Sequence, residues 1–165
     1  MGLVAGCDPG LTGALFFIDP RNPVTGEAID LPVHQLVRGK KAKRELDIAG
    51  LAGILAAHRP AHVFIEQVSS MPGQGVSSVF AFGKGYGIVL GVLAAHGVPV
   101  TLVSPAVWKR ALGVLRAKDA SRARASQLLP QCAGQWPLKK DHGKAEASLL
   151  ALYGLRMLNG TAERR

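Results

Sequence analysis

Acidic residues are scarce in this chain of 165 residues. Lysine and arginine number 20 against 11 aspartates and glutamates, which gives a formal net charge of +9 and an isoelectric point near 10.1. This basic excess predicts a polyanionic partner, and the alternative is a merely solvated basic face. Because the acids are so few, the position of each one is informative.

Cysteine is almost absent as well. Cys7 and Cys132 are far apart and form no C-x-x-C pair, so we expect two buried, reduced thiols in an intracellular, cytoplasmic protein. The apolar runs are expected to fall short of the about 18 uncharged residues of a membrane span. No basic segment precedes an apolar core at the N-terminus, so no signal peptide is expected. These features predict one globular domain over 1–165 without a membrane partner.

The order of apolar segments predicts a mixed α/β fold. Two strands at 3–8 and 13–18 join through a glycine-containing turn, a weaker strand follows at 27–33, and a basic loop comes next. The remaining predicted elements are a helix at 45–58, a strand at 61–67, a helix at 76–96, a strand at 98–103 and helices at 105–112, 119–129 and 143–158. Three strands followed by alternating helices and strands favour one mixed sheet flanked by helices.

Three acids stand beside core-forming segments. Asp8 ends the first strand, Glu66 ends the apolar stretch VFIE, and Glu146 shares the apolar face of the last helix with Leu149 and Leu150. Strand ends are where sheet proteins present reactive groups. Three such carboxylates predict a hard divalent cation, because Mg²⁺ takes oxygen ligands. Two ions would activate water and stabilise the leaving oxygen in phosphodiester hydrolysis.

Each acid also has a simpler interpretation. Asp8 can brace its turn, Glu66 can pair with a lysine, and Glu146 can favour a helix N-terminus. The three together, in a chain this basic, favour the metal site over these separate roles. Asp19, at the end of the second strand, is predicted to be a turn residue.

Three blocks carry a resemblance to a known family: GCDPGLTGALFFID, VFIEQVSSMPGQGVSSVFAFGKGYGIVLGVL and DHGKAEASLLALYG. In this order they resemble RuvC-type Holliday junction resolvases, most of all the phage and prophage members. The resemblance implies a ribonuclease H-like fold, a homodimer, and paired nicks in four-way DNA junctions with two Mg²⁺ or Mn²⁺ ions per site. It matches Asp8, Glu66 and Glu146 to the family's first, second and last acidic metal ligands.

The fourth ligand departs from the family pattern. Phage members often read D-G-x-A-E-A, whereas this chain has His142 directly before Gly143 and Asp141 one place earlier. A helix that reaches back to His142 would put it on the face of Glu146 and rotate Asp141 away. A helix that starts at Gly143 leaves either side chain able to reach the metals, and Asp141 can instead be an N-cap. We expect both near the site, with His142 as ligand or general base and Asp141 as ligand in preference to cap.

The resemblance also implies residues that contact DNA. Lys84 on the long helix matches a position that faces DNA in phage-like members, and Lys118 resembles a basic residue near the scissile phosphate. Ser69 replaces an aromatic that stacks on junction bases in several cellular members, while Phe80 and Phe82 suit dimer or core packing. Small residues on the same helix fit a dimer interface or tight packing on the sheet. The candidate DNA-binding residues are Lys84, Lys109, Arg110, Lys118, Arg122 and Lys144.

Other protein classes share parts of this pattern. Actin-like ATPases and sugar kinases have a phosphate-binding hairpin G-x-D-x-G-x-T, which GCDPGLTG satisfies, but they need two such domains. A non-catalytic DNA-binding protein on the same fold would not need the three acids. Among nucleases, the alternative is a ribonuclease H-like enzyme acting on other branched DNA or on RNA.

Overall fold

The computed structural model describes residues 2–38, 41–69, 73, 75–117 and 119–162. In chain order the strands are β1 (Val4–Cys7), β2 (Ala14–Asp19), β3 (Asn22–Asp30), β4 (Val33–Arg38), β5 (Lys41–Leu46), β6 (His62–Glu66) and β7 (Val100–Val103). The helices are α1 (Ile48–His58), α2 (Val76–Ala95), α3 (Pro105–Ala111), α4 (Ala120–Leu128) and α5 (His142–Ala162). Two 3₁₀ turns, Pro130–Gln135 and Lys139–Asp141, lie between α4 and α5.

Five strands form one mixed sheet in the order β3-β2-β1-β6-β7. β1 pairs antiparallel with β2, and β2 pairs antiparallel with β3. β6 lies parallel to β1 on its other side, and β7 lies parallel to β6. The predicted fold class, three antiparallel strands followed by parallel strands with flanking helices, is confirmed.

The alternation of side chains along β2 divides the core into two layers. Phe16 and Ile18 pack in one cluster with residues of α3, α4 and α5, whereas Leu15 and Phe17 pack in the other with residues of α1 and α2. Both cysteines are free and buried, as predicted. The carboxyl ends of β1 and β6 therefore emerge between two helical layers.

Glycine allows α5 to lie directly on β1. A Cβ atom at Gly6 would stand 2.1 Å from the carbonyl oxygen of Ala147, and one at Gly143 would stand 2.5 Å from that of Thr12. No side chain larger than hydrogen fits at such distances. The first turn of α5 is thereby held against the β1–β2 turn, next to Asp8.

Several predicted elements differ from the structure, including the last helix, which was predicted at 143–158 and spans His142–Ala162. The segment predicted as a basic loop forms the antiparallel β4–β5 hairpin, whose two-stranded ladder is largely exposed and so lacks the apolar alternation of a half-buried strand. The third strand, predicted at 27–33, is β3 and begins at Asn22. The helix predicted at 45–58 begins at Ile48, because Asp47 caps it by accepting a hydrogen bond from the Gly50 amide at 3.0 Å.

Helix α2 corrects two further expectations. By length and composition it is apolar enough to cross a membrane, although the apolar runs were expected to be too short; a helix of a soluble protein can meet the same criteria. It buries Gly85, Val89 and Leu93, but leaves Phe80 71% and Phe82 39% exposed. Of the two alternatives predicted for these phenylalanines, core packing is therefore wrong, and dimer packing stays a prediction.

Candidate active site

The three predicted acids meet at the carboxyl end of the sheet. Asp8 follows β1 and Glu66 ends β6, and these neighbouring parallel strands pair Cys7 with Ile65 immediately before them. Glu146 comes from the second turn of α5. The first turn of that helix lies so near the cluster that a Cβ atom at Gly143 would stand 3.1 Å from Asp8 Oδ2. All three acids are partly buried.

Two acids of the cluster, Asp8 and Glu66, have raised pKa values. Burial raises the pKa of Asp8 to about 6, and the negative charge of Glu146 adds to the rise. Burial and the charge of Glu146 likewise raise the pKa of Glu66 to about 7. Three carboxylates that are costly to ionise together form a donor set that a hard cation would stabilise.

Helices α3 and α4 contribute donors to the acids. The Trp108 indole N–H donates to Glu66 Oε1 at 3.1 Å. Glu146 Oε1 accepts from the Ser121 hydroxyl at 2.9 Å and lies 3.1 Å from Lys109 Nζ. Sequence analysis missed Trp108 and Ser121 and assigned Lys109 only to DNA. Nothing in their local sequence marks them, since each contacts an acid at least 25 residues away.

Carboxylate oxygens are suitable ligands for a divalent cation, but in this structure the side chains of the cluster form hydrogen bonds and ion pairs with protein groups. Among the described residues, no three aspartate, glutamate, histidine or cysteine side chains are grouped closely enough to hold an ion as they stand. Glu66 accepts from Trp108 through Oε1, and Glu146 Oε1 lies next to Lys109 Nζ, so each carboxylate has one oxygen engaged. One lysine does not balance three carboxylates, so the oxygen-rich cluster remains suited to a hard divalent cation.

The structure separates the two residues proposed for the fourth position. α5 begins at His142, which therefore lies on the face of Glu146, and its charge acts on Asp8. The Asp141 carboxylate accepts a hydrogen bond from the Leu138 amide at 3.0 Å and lies 3.9 Å from Lys144 Nζ. The Asp141 carboxylate therefore closes the Lys139–Asp141 turn from its third position, which differs from the predicted alternative of an N-cap on the last helix.

A basic cavity of about 850 Å³ opens beside Glu146. Its polar lining includes Asp119, Ser121 and Glu146, and its cationic lining is formed by Lys109, Arg110, Arg116 and Lys139, with His142 at the same wall. Two predicted DNA-binding residues, Lys109 and Arg110, thus lie next to the acids. This placement suits a polyanion whose phosphate reaches the carboxylates.

Three other predicted DNA-binding residues, Lys84, Arg122 and Lys144, do not belong to this lining. Lys84 pairs with Glu45 of β5. Arg122 lies 3.4 Å from Asp119 and donates to the Pro137 carbonyl, and Lys144 lies 3.1 Å from Asp30. Lys118 falls outside the described residues.

Comparison with known proteins identifies the family. No model of a protein family matches the chain. The chain is 32% identical over 151 residues to the chloroplastic Holliday junction resolvase MOC1 of Chlamydomonas reinhardtii, covering 76% of this chain and 17% of that protein. It is 33% identical over 113 residues to the crossover junction endodeoxyribonuclease RuvC of Nitratidesulfovibrio vulgaris, covering 68% of this chain and 66% of that protein. This chain belongs to the RuvC-type resolvase family.

Two solved structures share the fold of this chain. Thermus thermophilus RuvC, solved in complex with Holliday junction substrate, gives a TM-score of 0.66 at 21% identity, with 98% of each chain covered. The yeast mitochondrial Holliday junction resolvase gives 0.59 at 14% identity, covering 98% of this chain and 81% of that one.

RuvC-type membership decides between the classes that share the GCDPGLTG hairpin, and it sets aside the actin-like ATPase interpretation. The chain spans about a sixth of the Chlamydomonas protein and about two thirds of the Nitratidesulfovibrio RuvC. The phage or prophage origin stays a prediction, because these relatives come from a chloroplast and a bacterium.

Proposed function

We propose that this protein is a metal-dependent endonuclease that resolves four-way DNA junctions by paired symmetric nicks. The observation that carries the proposal is the cluster of Asp8, Glu66 and Glu146 beside a basic cavity. Relatives named Holliday junction resolvases, and a structural neighbour solved with Holliday junction substrate, support the four-way junction as the substrate.

The proposed metal site uses Asp8, Glu66 and Glu146 as oxygen ligands, with His142 as a fourth ligand or a general base. Two Mg²⁺ or Mn²⁺ ions held there would supply an activated water and stabilise the leaving oxygen. The Lys109 ammonium lies 3.1 Å from Glu146 Oε1 in the metal-free protein. Because the same ammonium lines the basic cavity, it also attracts the phosphate towards the acids.

The proposed DNA path follows the cavity between α3 and the Lys139–Asp141 turn. Arg110 and Lys139 lie on its wall, and a lysine or arginine that neutralises a phosphate releases a counterion. Arg110→Ala and Lys139→Ala should each reduce the slope of log affinity against log salt by about one unit. Arg156→Ala, on the exposed surface near the other end of α5, is the matched control and should leave the slope unchanged.

The proposed homodimer uses the exposed face of α2. Val76 is 85% and Phe80 is 71% exposed, which is costly for a helix without a partner. Paired nicks need two active sites, and a second copy of the chain supplies the second one. Phe80→Glu should shift the protein to a monomer in analytical ultracentrifugation, and a wild-type protein that is already monomeric would contradict the dimer.

Cleavage of synthetic DNA tests the function. We expect four-way junctions to be cut at paired symmetric positions with Mg²⁺ or Mn²⁺, linear duplex to remain intact, and a chelator to stop the reaction. Asp8→Asn, Glu66→Gln and Glu146→Gln should each lower the cleavage rate by about 1,000-fold or more, since each removes a metal ligand worth several kcal/mol. Junction binding should survive, because the phosphate contacts come from lysine and arginine.

Asp19→Asn provides the matched control. Asp19 ends the strand paired with β1 but pairs with Arg21 at 2.8 Å, away from the cluster, so its substitution should leave cleavage unchanged. Faster cleavage of flaps or RNA than of junctions would support the alternative nuclease. Tight junction binding without metal-dependent cleavage would support a non-catalytic DNA-binding protein.

A further inference from the structure

Helix α3 reaches the acid cluster with two consecutive residues. Trp108 donates its indole N–H to Glu66 Oε1 at 3.1 Å, and Lys109 lies 3.1 Å from Glu146 Oε1. The ammonium of Lys109 also stands 5.0 Å from the centre of the Trp108 ring. α3 follows β7 directly, with Pro105 at its first turn, so the sheet itself sets the position of both side chains.

Trp108 combines complete burial with a single polar group. Its side chain is 0% exposed and packs among the residues between α5 and the sheet. An indole can only donate, and a buried N–H needs an acceptor. Here the acceptor is a carboxylate at the rim of the cleft rather than a backbone carbonyl. The rigid ring therefore ties the packed core to one oxygen of Glu66.

We infer that Trp108 is a positioning residue that orients the Glu66 carboxylate for a divalent cation, an inference that rests on the proposed role of Glu66 as a ligand. The hydrogen bond already restricts rotation of the Glu66 side chain. Less conformational entropy is therefore lost when an ion binds, which favours binding. Partners that orient metal ligands in this way change metal affinity by about 10–100-fold when they are removed.

The chain contains its own control. Trp136 is the other of its two tryptophans, is 2% exposed, and donates its indole N–H to the Ser126 hydroxyl at 3.0 Å. Trp108→Phe and Trp136→Phe each remove one buried indole N–H and leave an aromatic ring. Only the first removes a bond to an acid of the cluster, so a general effect of losing tryptophan appears equally in both.

The experiment measures binding of Mn²⁺ alone, without DNA, by the electron paramagnetic resonance of the free ion. We expect Trp108→Phe to weaken Mn²⁺ binding by about 10–100-fold and Trp136→Phe to leave it within about twofold of wild type. In junction cleavage, Trp108→Phe should raise the Mn²⁺ concentration for half-maximal rate more than it lowers the maximal rate. Equal Mn²⁺ affinity in Trp108→Phe and wild type, or equal weakening in both variants, would overturn the inference.

A second measurement keeps Trp108 intact, so it does not depend on the folding of its variant. In Trp136→Phe, Trp108 is the only tryptophan, and Mn²⁺ should quench its fluorescence over the concentration range in which the ion binds. Trp108 fluorescence that stays constant while Mn²⁺ binds would also overturn the inference. The proposed function fails separately: wild type would then bind no Mn²⁺, or Glu66→Gln would bind it as wild type does.

Discussion

Helices α5 and α2 are of similar length, 21 and 20 residues, and both carry several glycines, but the fold uses them differently. α5 lies on the sheet so closely that a Cβ atom at Gly154 would stand 2.1 Å from the Phe64 ring. On the opposite layer, such a position at Gly83, Gly87 or Gly91 of α2 has no atom of another described element within 4 Å. Glycine permits close packing in α5, whereas in α2 three of its glycines leave open surface.

The difference explains which helix carries the chemistry. α5 is held by its own sheet, so the carboxylate of Glu146 and the His142 ring start from a fixed backbone beside Asp8. α2 contributes no acid to the cluster and keeps an apolar face towards solvent. A fixed helix suits metal ligands, which need defined positions, while an unpartnered apolar helix suits association with a second copy.

The largest expected effect on stability comes from a substitution that disrupts the contact of α5 with the sheet. Gly154→Ala pushes a methyl group into the Phe64 ring and should lower the free energy of unfolding by about 3 kcal/mol, as for an overpacked core. Urea denaturation measures it. In a Phe64→Leu background the penalty of Gly154→Ala should shrink, and an unchanged urea midpoint for Gly154→Ala alone would contradict the close contact.

The next prediction compares the cleavage rates of variants at two neighbouring residues, His142 and Asp141, at the start of α5. His142→Ala should slow junction cleavage by about 10–100-fold, because His142 faces the cluster. Asp141→Ala should cost less than about threefold in rate, since its carboxylate bonds the Leu138 amide, and should lower stability by about 1 kcal/mol, as loss of a cap does. Rates at saturating Mn²⁺ check this. The reverse order of rates would make Asp141 the fourth ligand.

A smaller effect concerns pH and the metal-free cluster. The pKa of Asp8 is about 6 in the folded protein, so folding takes up a proton between about pH 4 and pH 6, and stability falls as pH rises through that range. Asp8→Asn removes the buried charge and should stabilise the metal-free protein by about 1–2 kcal/mol at pH 8 and by far less at pH 4. Denaturation with chelator at both pH values measures this.

Glu45 supplies the control for that measurement, on the α2 side of the molecule. Its hydrogen bond from Lys84 lowers the pKa of Glu45, so its ionised form is favoured by folding. Glu45→Gln should therefore bring no stabilisation at pH 8. Stabilisation by both variants would mean that a general charge effect, rather than crowding of the acids, is being measured.

The smallest expected effect comes from a glycine-to-alanine substitution in α2, which can be compared directly with the same change in α5. Gly87→Ala meets open space and should raise the free energy of unfolding by about 0.5–1 kcal/mol, opposite in sign to Gly154→Ala. Denaturation at a concentration where the protein is monomeric measures it. If the α2 glycines face the second copy, the same variant should weaken dimerisation in ultracentrifugation. Destabilisation of the monomer would show that this face of α2 is packed after all.

Much of the acid site was predictable because it follows from local patterns. The end of a short apolar strand places Asp8 and Glu66, and the spacing of Glu146 from Leu149 and Leu150 places it on the inner face of a helix. Lys109 was predicted to bind DNA, but its ion pair with Glu146 was not predicted. The β4–β5 hairpin was missed because its exposed ladder carries charged residues where a half-buried strand would alternate.

The sequence by itself determined the order of the elements outside the β4–β5 hairpin, the mixed sheet and the three acids, since the periodicity of apolar side chains and the residues at strand ends are local properties. Tertiary structure decided which side chains form hydrogen bonds with these acids. Trp108 bonds Glu66 across 42 residues and Ser121 bonds Glu146 across 25, which no local pattern encodes. It also decided that α5 packs through Gly143 and Gly154 while α2 leaves Gly83, Gly87 and Gly91 exposed, because a glycine is needed only where another part of the chain comes close.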